Sequence, residues 1–154
     1  MASFAAQISS VRGLINAYQA QLNSTNESLE SLQRFKTVIE RSQSDYHSCM
    51  SAKKSALGQV EPYCVNTKCN TKYKEGMSTR LNGIGAVSVS VTYVAFLAAI
   101  NVKIGLYRAR ISSLNSMIQN CNNTIRNLQE QQRLENERLE RERQERERQA
   151  QNQQ

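Results

Sequence analysis

The stretch Tyr93–Leu128, YVAFLAAINVKIGLYRARISSLNSMIQNCNNTIRNL, decides the fold. Within it Tyr93, Leu97, Ile100, Ile104, Tyr107, Ile111, Leu114, Ile118, Cys121, Ile125 and Leu128 recur at alternating steps of four and three without a polar exception. That spacing puts every one of them on a single face of an α-helix, and such a heptad seam is buried against another helix. A matching partner lies upstream in the same chain. Ile8, Val11, Ile15, Tyr18, Leu22, Leu29, Leu32, Ile39, Tyr46, Met50, Leu57 and Val60 keep the same register, broken by Thr25, Lys36, Gln43 and Lys53.

The two stripes flank a short region with the chain's single proline, Pro62. The first helix is expected over about 5–58, with no proline inside it, and about 50 residues at 1.5 Å each make a rod of roughly 75 Å. Gly58 can end that helix, Pro62 prevents its continuation, and Asn66 or Thr67 can cap the next, so the bend is placed at 59–67. The second helix is expected over about 68–128, with a kink at 76–85 where Gly76, Gly83, Gly85 and the Asn82-Gly83 turn signal fall. The run Val87–Val94 alternates as a strand would, yet an isolated strand between helices has no neighbour to pair with, so helix is expected there too. Residues 1–128 thus read as an all-α, antiparallel two-helix hairpin resembling a coiled coil, and residues 129–154 as a charged helical or frayed tail.

Composition narrows the function classes. The chain has 154 residues, no Trp and an aromatic fraction of 6%, too little large apolar surface for a compact globular core. A two-helix hairpin buries one stripe per helix, so its stability is expected to depend on a partner. The formal net charge is +7, and residues 129–154 are nearly neutral with six Arg and seven Glu. The excess lies upstream, with Lys68, Lys72, Lys74 and Arg80 close to the bend. Such a surface attracts nucleic acid, an anionic membrane or an acidic protein. Nucleic acid is not expected, because the cations are not interleaved with stacking aromatics beyond Tyr63 and Tyr73.

No chemistry-bearing constellation emerges. Asp45, His47 and Cys49 are two apart on a helix and point in different directions, so they form no relay. Cys64 and Cys69 near the bend leave three readings open, a structural zinc site, a disulfide or two unpaired thiols, with unpaired thiols the default; Cys49 and Cys121 act as small apolar helix residues. No enzyme activity, metal or cofactor is expected. Residues 84–100 form the one transmembrane candidate, diluted by Ser88, Ser90 and Thr92, and its small residues instead favour close helix approach. No basic n-region followed by an apolar h-region opens the chain, so no cleavable signal peptide is expected.

At the bend, Val60-Glu-Pro-Tyr-Cys-Val-Asn-Thr-Lys-Cys-Asn-Thr-Lys-Tyr-Lys-Glu-Gly-Met, set between two long helices and followed by a charged tail, resembles the YwqH-like branch of the small WXG-type helical-hairpin proteins of type VII secretion in Gram-positive bacteria. The likeness covers most of residues 5–130. It implies a non-catalytic accessory partner or targeting chaperone that binds the helical N-terminal domain of an LXG-type toxin side by side, with room for a second small helical protein. The family's Trp-x-Gly bend is expected near Cys69-Asn70-Thr71, with Pro62 ahead of it, and this chain has neither Trp nor Gly there. The superfamily's Tyr-x-x-x-Asp/Glu export signal is absent too, since no acid lies four residues after any of the six tyrosines. An accessory partner fits that pattern better than a self-sufficient secreted substrate, and implies a cytoplasmic chain or one exported with its partner. The expected partner contacts are Ile15, Tyr18, Leu22 and Leu29 on the first helix and Tyr93, Leu97, Ile104, Tyr107, Ile111, Leu114 and Ile118 on the second, some of which must hold the hairpin together. Two rivals use the same pattern: a homo-oligomeric coiled-coil scaffold, and a membrane-attached adapter working through residues 84–106.

Overall fold

The computed structural model of the chain describes residues 3–63 and 68–151, and these are helical almost throughout, with no strand among them. The order is α1 (Phe4–Tyr63), α2 (Lys68–Asn82) and α3 (Ile84–Gln151). Helix α1 begins where Ser3 supplies a cap: its Oγ accepts a hydrogen bond from Ala6 N at 3.3 Å and its carbonyl accepts one from Gln7 N at 3.1 Å. The helix runs past Gly58 to Tyr63. A glycine inside a helix costs only about 1 kcal/mol relative to Ala, and Leu57 and Val60, both half-buried, carry the stripe across it. Pro62 sits in the last turn of α1, and Cys69, Asn70 and Thr71 belong to the first turn of α2, while residues 64–67 of the expected bend lie outside the described residues.

Between α2 and α3 the helix is interrupted at Gly83 alone. The carbonyl of Gly83 accepts hydrogen bonds from both Ala86 N at 3.0 Å and Val87 N at 3.2 Å, and so starts α3. A Cβ placed on Gly83 would stand 2.5 Å from the carbonyl oxygen of Thr79, a backbone atom that cannot rotate away. The alternating run Val87–Val94 lies inside α3 and is helical.

The chain divides into two compact units. In the unit formed by Glu27–Arg108, the later part of α1 packs against α2 and the start of α3, as in a helical hairpin. Tyr46 ties the pair together: its Oη donates a hydrogen bond of 3.0 Å to the Ala86 carbonyl, and its ring meets that of Tyr93 at 6.1 Å between centroids. The apolar side chains buried in this unit are Leu81, Ile100 and Ile104. In the other unit, the start of α1 up to Asn26 is grouped with α3 from Ala109 onward; Ile8, Thr25 and Leu114 are buried there, and Arg110 donates a 3.4 Å hydrogen bond to Gln21.

The polar interruptions of the first stripe are accommodated one by one. Thr25 is buried because its hydroxyl is satisfied locally, donating to the Gln21 carbonyl at 2.7 Å. Lys36 is half-buried along its stem while its ammonium reaches Glu40 at 3.4 Å. Gln43 is half-buried, and only Lys53 turns fully to solvent.

Beyond Leu128 no residue of α3 is buried, and what lines this segment is charge. Arg133 donates to Glu130 and Glu137, Arg138 to Glu135, and Arg138, Arg141 and Arg146 form further ion pairs with Glu142 or Glu137, all three or four residues apart. The Arg133 hydrogen bond, assisted by its charge, holds the Glu130 carboxyl below the usual carboxylate range.

Because the Glu130 pKa is lower in the helix than in the unfolded chain, the contribution of its pair is present above the unfolded value and is lost as pH falls through the folded one. Carbon chemical shifts around Glu130 and Arg133 in the full chain should therefore drift toward coil values on acidification from about pH 5 to about pH 3, and salt near 1 M should produce a similar drift at neutral pH. Gly83→Val should destabilise the chain by about 1–3 kcal/mol in urea unfolding, because the backbone must shift to admit a side chain. Gly85→Ala, at a helical position with open space around it, should be neutral or stabilising by up to about 1 kcal/mol.

Candidate interaction surface

A helix paired on one side presents its remaining circumference to whatever else it meets. For most of α1 that circumference is polar, and the second part of α3 is likewise ringed by Asn, Ser, Arg and Gln. The start of α3 differs. Residues 81–102 contain no Asp, Glu, Lys or Arg, and Val, Ala, Ile and Phe occupy all sides of the helix. An 18-residue window in the α2–α3 run has a mean hydropathy of 2.0, and only 6% of it is buried. By length and composition this helix is able to cross a membrane.

The exposed apolar side chains fall in two groups. Val94, Val102 and Leu106 lie between the seam positions of α3 and are each 60–66% exposed, while Val87 and Val91, 57% and 60% exposed, line the edge of a groove that α3 forms with α1. Phe35 of α1, with Val89 and Phe96 of α3, borders an open groove of about 420 Å³ completed by Ile39, Ser88, Thr92 and Tyr93. A neighbouring groove of about 250 Å³ is more polar and includes His47 and Lys54 beside Tyr46 and Met50. Pairing of later α1 residues with earlier α3 residues in these two grooves shows that the helices of this unit run antiparallel.

The residues expected from the sequence to contact a partner are placed differently. Ile104 and Leu114 are buried, at 7% and 4% exposure. Ile15, Tyr18, Leu22, Leu29, Tyr93, Leu97, Tyr107, Ile111 and Ile118 are half-buried. They share the seam with the internal contacts of each unit, which leaves them less available than the exposed valines of α3. Those valines fall between seam positions, so a search for the heptad stripe passes over them; their one signal in the sequence is the long uncharged run itself.

Polar chemistry is sparse at these sites. His47 is exposed and stacks edge-on against Tyr46 at 5.7 Å, and Asp45 and Cys49 are exposed. Cys49, Cys69 and Cys121 are free thiols, whereas Cys64 lies outside the described residues. No group of three His, Cys, Asp or Glu side chains able to hold a metal ion occurs among the described residues. Lys103 places its ammonium 5.9 Å from the Tyr107 ring centroid, anchoring one cation beside the apolar run.

The contrast between seam and far side yields a stability test. Ile104→Ala and Leu114→Ala should each cost about 2–4 kcal/mol in urea unfolding, since buried side chains leave cavities, while Val102→Ala, at 66% exposure, should fall within about 0.5 kcal/mol of the parent. Comparison of the chain with family models, curated proteins and solved structures finds no match to any of them.

Proposed function

We propose that this chain is a non-catalytic binding partner that contributes helices to a bundle completed by another polypeptide. The observation that carries this reading is the exposure of the apolar start of α3, of which 6% is buried in the chain by itself. A surface that apolar is stabilised by being covered, at roughly 25 cal/mol per Å² removed from water. Helices offer the most economical cover, because two helical pairs laid together form a four-helix bundle with their polar sides outward.

The resemblance of the Val60–Met77 region to YwqH-like hairpin proteins gives this partner a candidate identity: the helical N-terminal domain of an LXG-type toxin, bound side by side for type VII secretion. In that role the chain acts as an accessory subunit or targeting chaperone, retained in the cytoplasm or exported with its cargo. A second reading, attachment to a membrane through residues 84–106, is favoured by the same hydropathy value.

Crosslinked affinity purification of the chain from its native cells, with every co-purifying polypeptide identified by mass spectrometry, separates these readings. A long protein with a helical N-terminal head and an unrelated C-terminal domain is the expected catch. Recovery of the chain alone from a detergent-free soluble fraction would overturn the partner reading, and recovery only from detergent-extracted membranes would replace it with the membrane adapter.

A further inference from the structure

The apolar start of α3 has a sign as well as a hydropathy. At about 100° per residue, Val87, Val91, Val94, Ala98, Val102 and Leu106 share one face of α3. Arg108 follows along one edge of that face; Lys103, its ammonium drawn over the Tyr107 ring, lies past the other edge, and Arg80 sits in the last turn of α2 just ahead of it; all three are exposed. No Asp or Glu occurs between Glu75 and Glu130, so every charge bordering the face on α3 is positive.

From this we infer that the face docks an amphipathic helix of a different chain whose apolar stripe is rimmed by Asp and Glu. The inference deepens the binding-partner reading above and rests on it. Three physical arguments select this occupant. A second copy laid parallel on the same face would set Lys103 and Arg108 beside their own equivalents, and one laid antiparallel would set them opposite the uncharged start of α3, so neither orientation answers them with an acid. A bilayer span would carry the paired part of α1 inward as well, and that segment holds Glu30, Arg34, Lys36, Glu40, Arg41 and Asp45. A face of Val and Ala with one Leu and no aromatic suits close approach of helix axes, whereas helices that lie in a membrane surface use several bulky Trp, Phe and Leu.

The recognition divides into two terms. Covering the valines supplies most of the affinity and is indifferent to charge, while the basic edges set orientation, association rate and the choice between partners. Charge in the partner is therefore the property to vary.

The test uses the full chain and two synthetic helical peptides with one Leu/Ala stripe, rimmed by Glu in the first and by Lys in the second. Fluorescence anisotropy at low salt should show the Glu-rimmed peptide binding on the order of tenfold tighter, with the difference shrinking near 1 M salt. Joint replacement Lys103→Glu and Arg108→Glu should invert that preference. Joint replacement Val91→Glu and Val94→Glu should abolish binding of both peptides with helical circular dichroism unchanged, since both side chains are 60% exposed. Equal affinity for the two peptides, or binding of neither, would overturn the inference. So would adsorption to phosphatidylglycerol vesicles, or dimerisation in sedimentation, that the Val91/Val94 variant removes. If the Glu-rimmed peptide binds as expected but no toxin co-purifies from cells, the face stands and the toxin assignment falls; if a toxin co-purifies and the Val91/Val94 variant retains it, the face falls and the toxin assignment stands.

Discussion

Two paired α-helices cover one stripe of each other and nothing more, and every other property of this chain is arranged around that limit. A helix has 3.6 residues per turn, so a seam of alternating three- and four-residue steps occupies roughly a third of its circumference. Where the remaining two thirds are polar, pairing with one neighbour is sufficient. That condition holds where Ile111, Leu114 and Ile118 face inward from a helix otherwise made of Ser, Asn, Gln and Arg. It fails at the start of α3, where Val87, Val94 and Val102 have no polar alternative and stay in solvent.

The seam was legible in the sequence because its physics is local and repetitive. Burial follows it residue by residue through Ala86, Ser90, Tyr93, Leu97, Ile100, Ile104, Tyr107, Ile111 and Leu114, including two small residues that the apolar pattern does not mark. Even its apparent errors are positions of the seam: Thr25 and Lys36 occupy it by satisfying their polar ends within their own helix. What periodicity leaves out is competition between surfaces. A heptad stripe reports that a face will be buried without saying by what, so Ile104 and Leu114 read as partner contacts until their burial inside the chain is seen. The far face of α3 has no period of its own, because a helix apolar all round has no contrast for a stripe to stand against.

Glycine illustrates the same boundary between local and tertiary information. Gly58, Gly76, Gly83 and Gly85 all weaken a helix to a similar degree in isolation. The structure interrupts the helix at Gly83 only, where the backbone turns tightly enough to bring the Thr79 carbonyl into the space a side chain would fill. Composition can mark the region in which a helix gives way; the structure places the break at Gly83, between Leu81 and Ala86, which both line a groove with α1.

The distribution of charge follows from the same division of surfaces. In the last part of α3, where no residue is buried, Arg133, Arg138 and Arg141 pair with glutamates three or four residues away along the same helix. Around the apolar face the balance is broken: Arg80, Lys103 and Arg108 have no acid between Glu75 and Glu130 to pair with. A chain that only needed solubility would gain as much from mixed signs at these edges, since solvation of a surface does not depend on the sign of its charges. A single sign costs some self-repulsion and provides discrimination, because it attracts one class of helix and repels its opposite. The apolar face and its one-sided rim therefore act together, the first supplying the area to be covered and the second restricting what covers it.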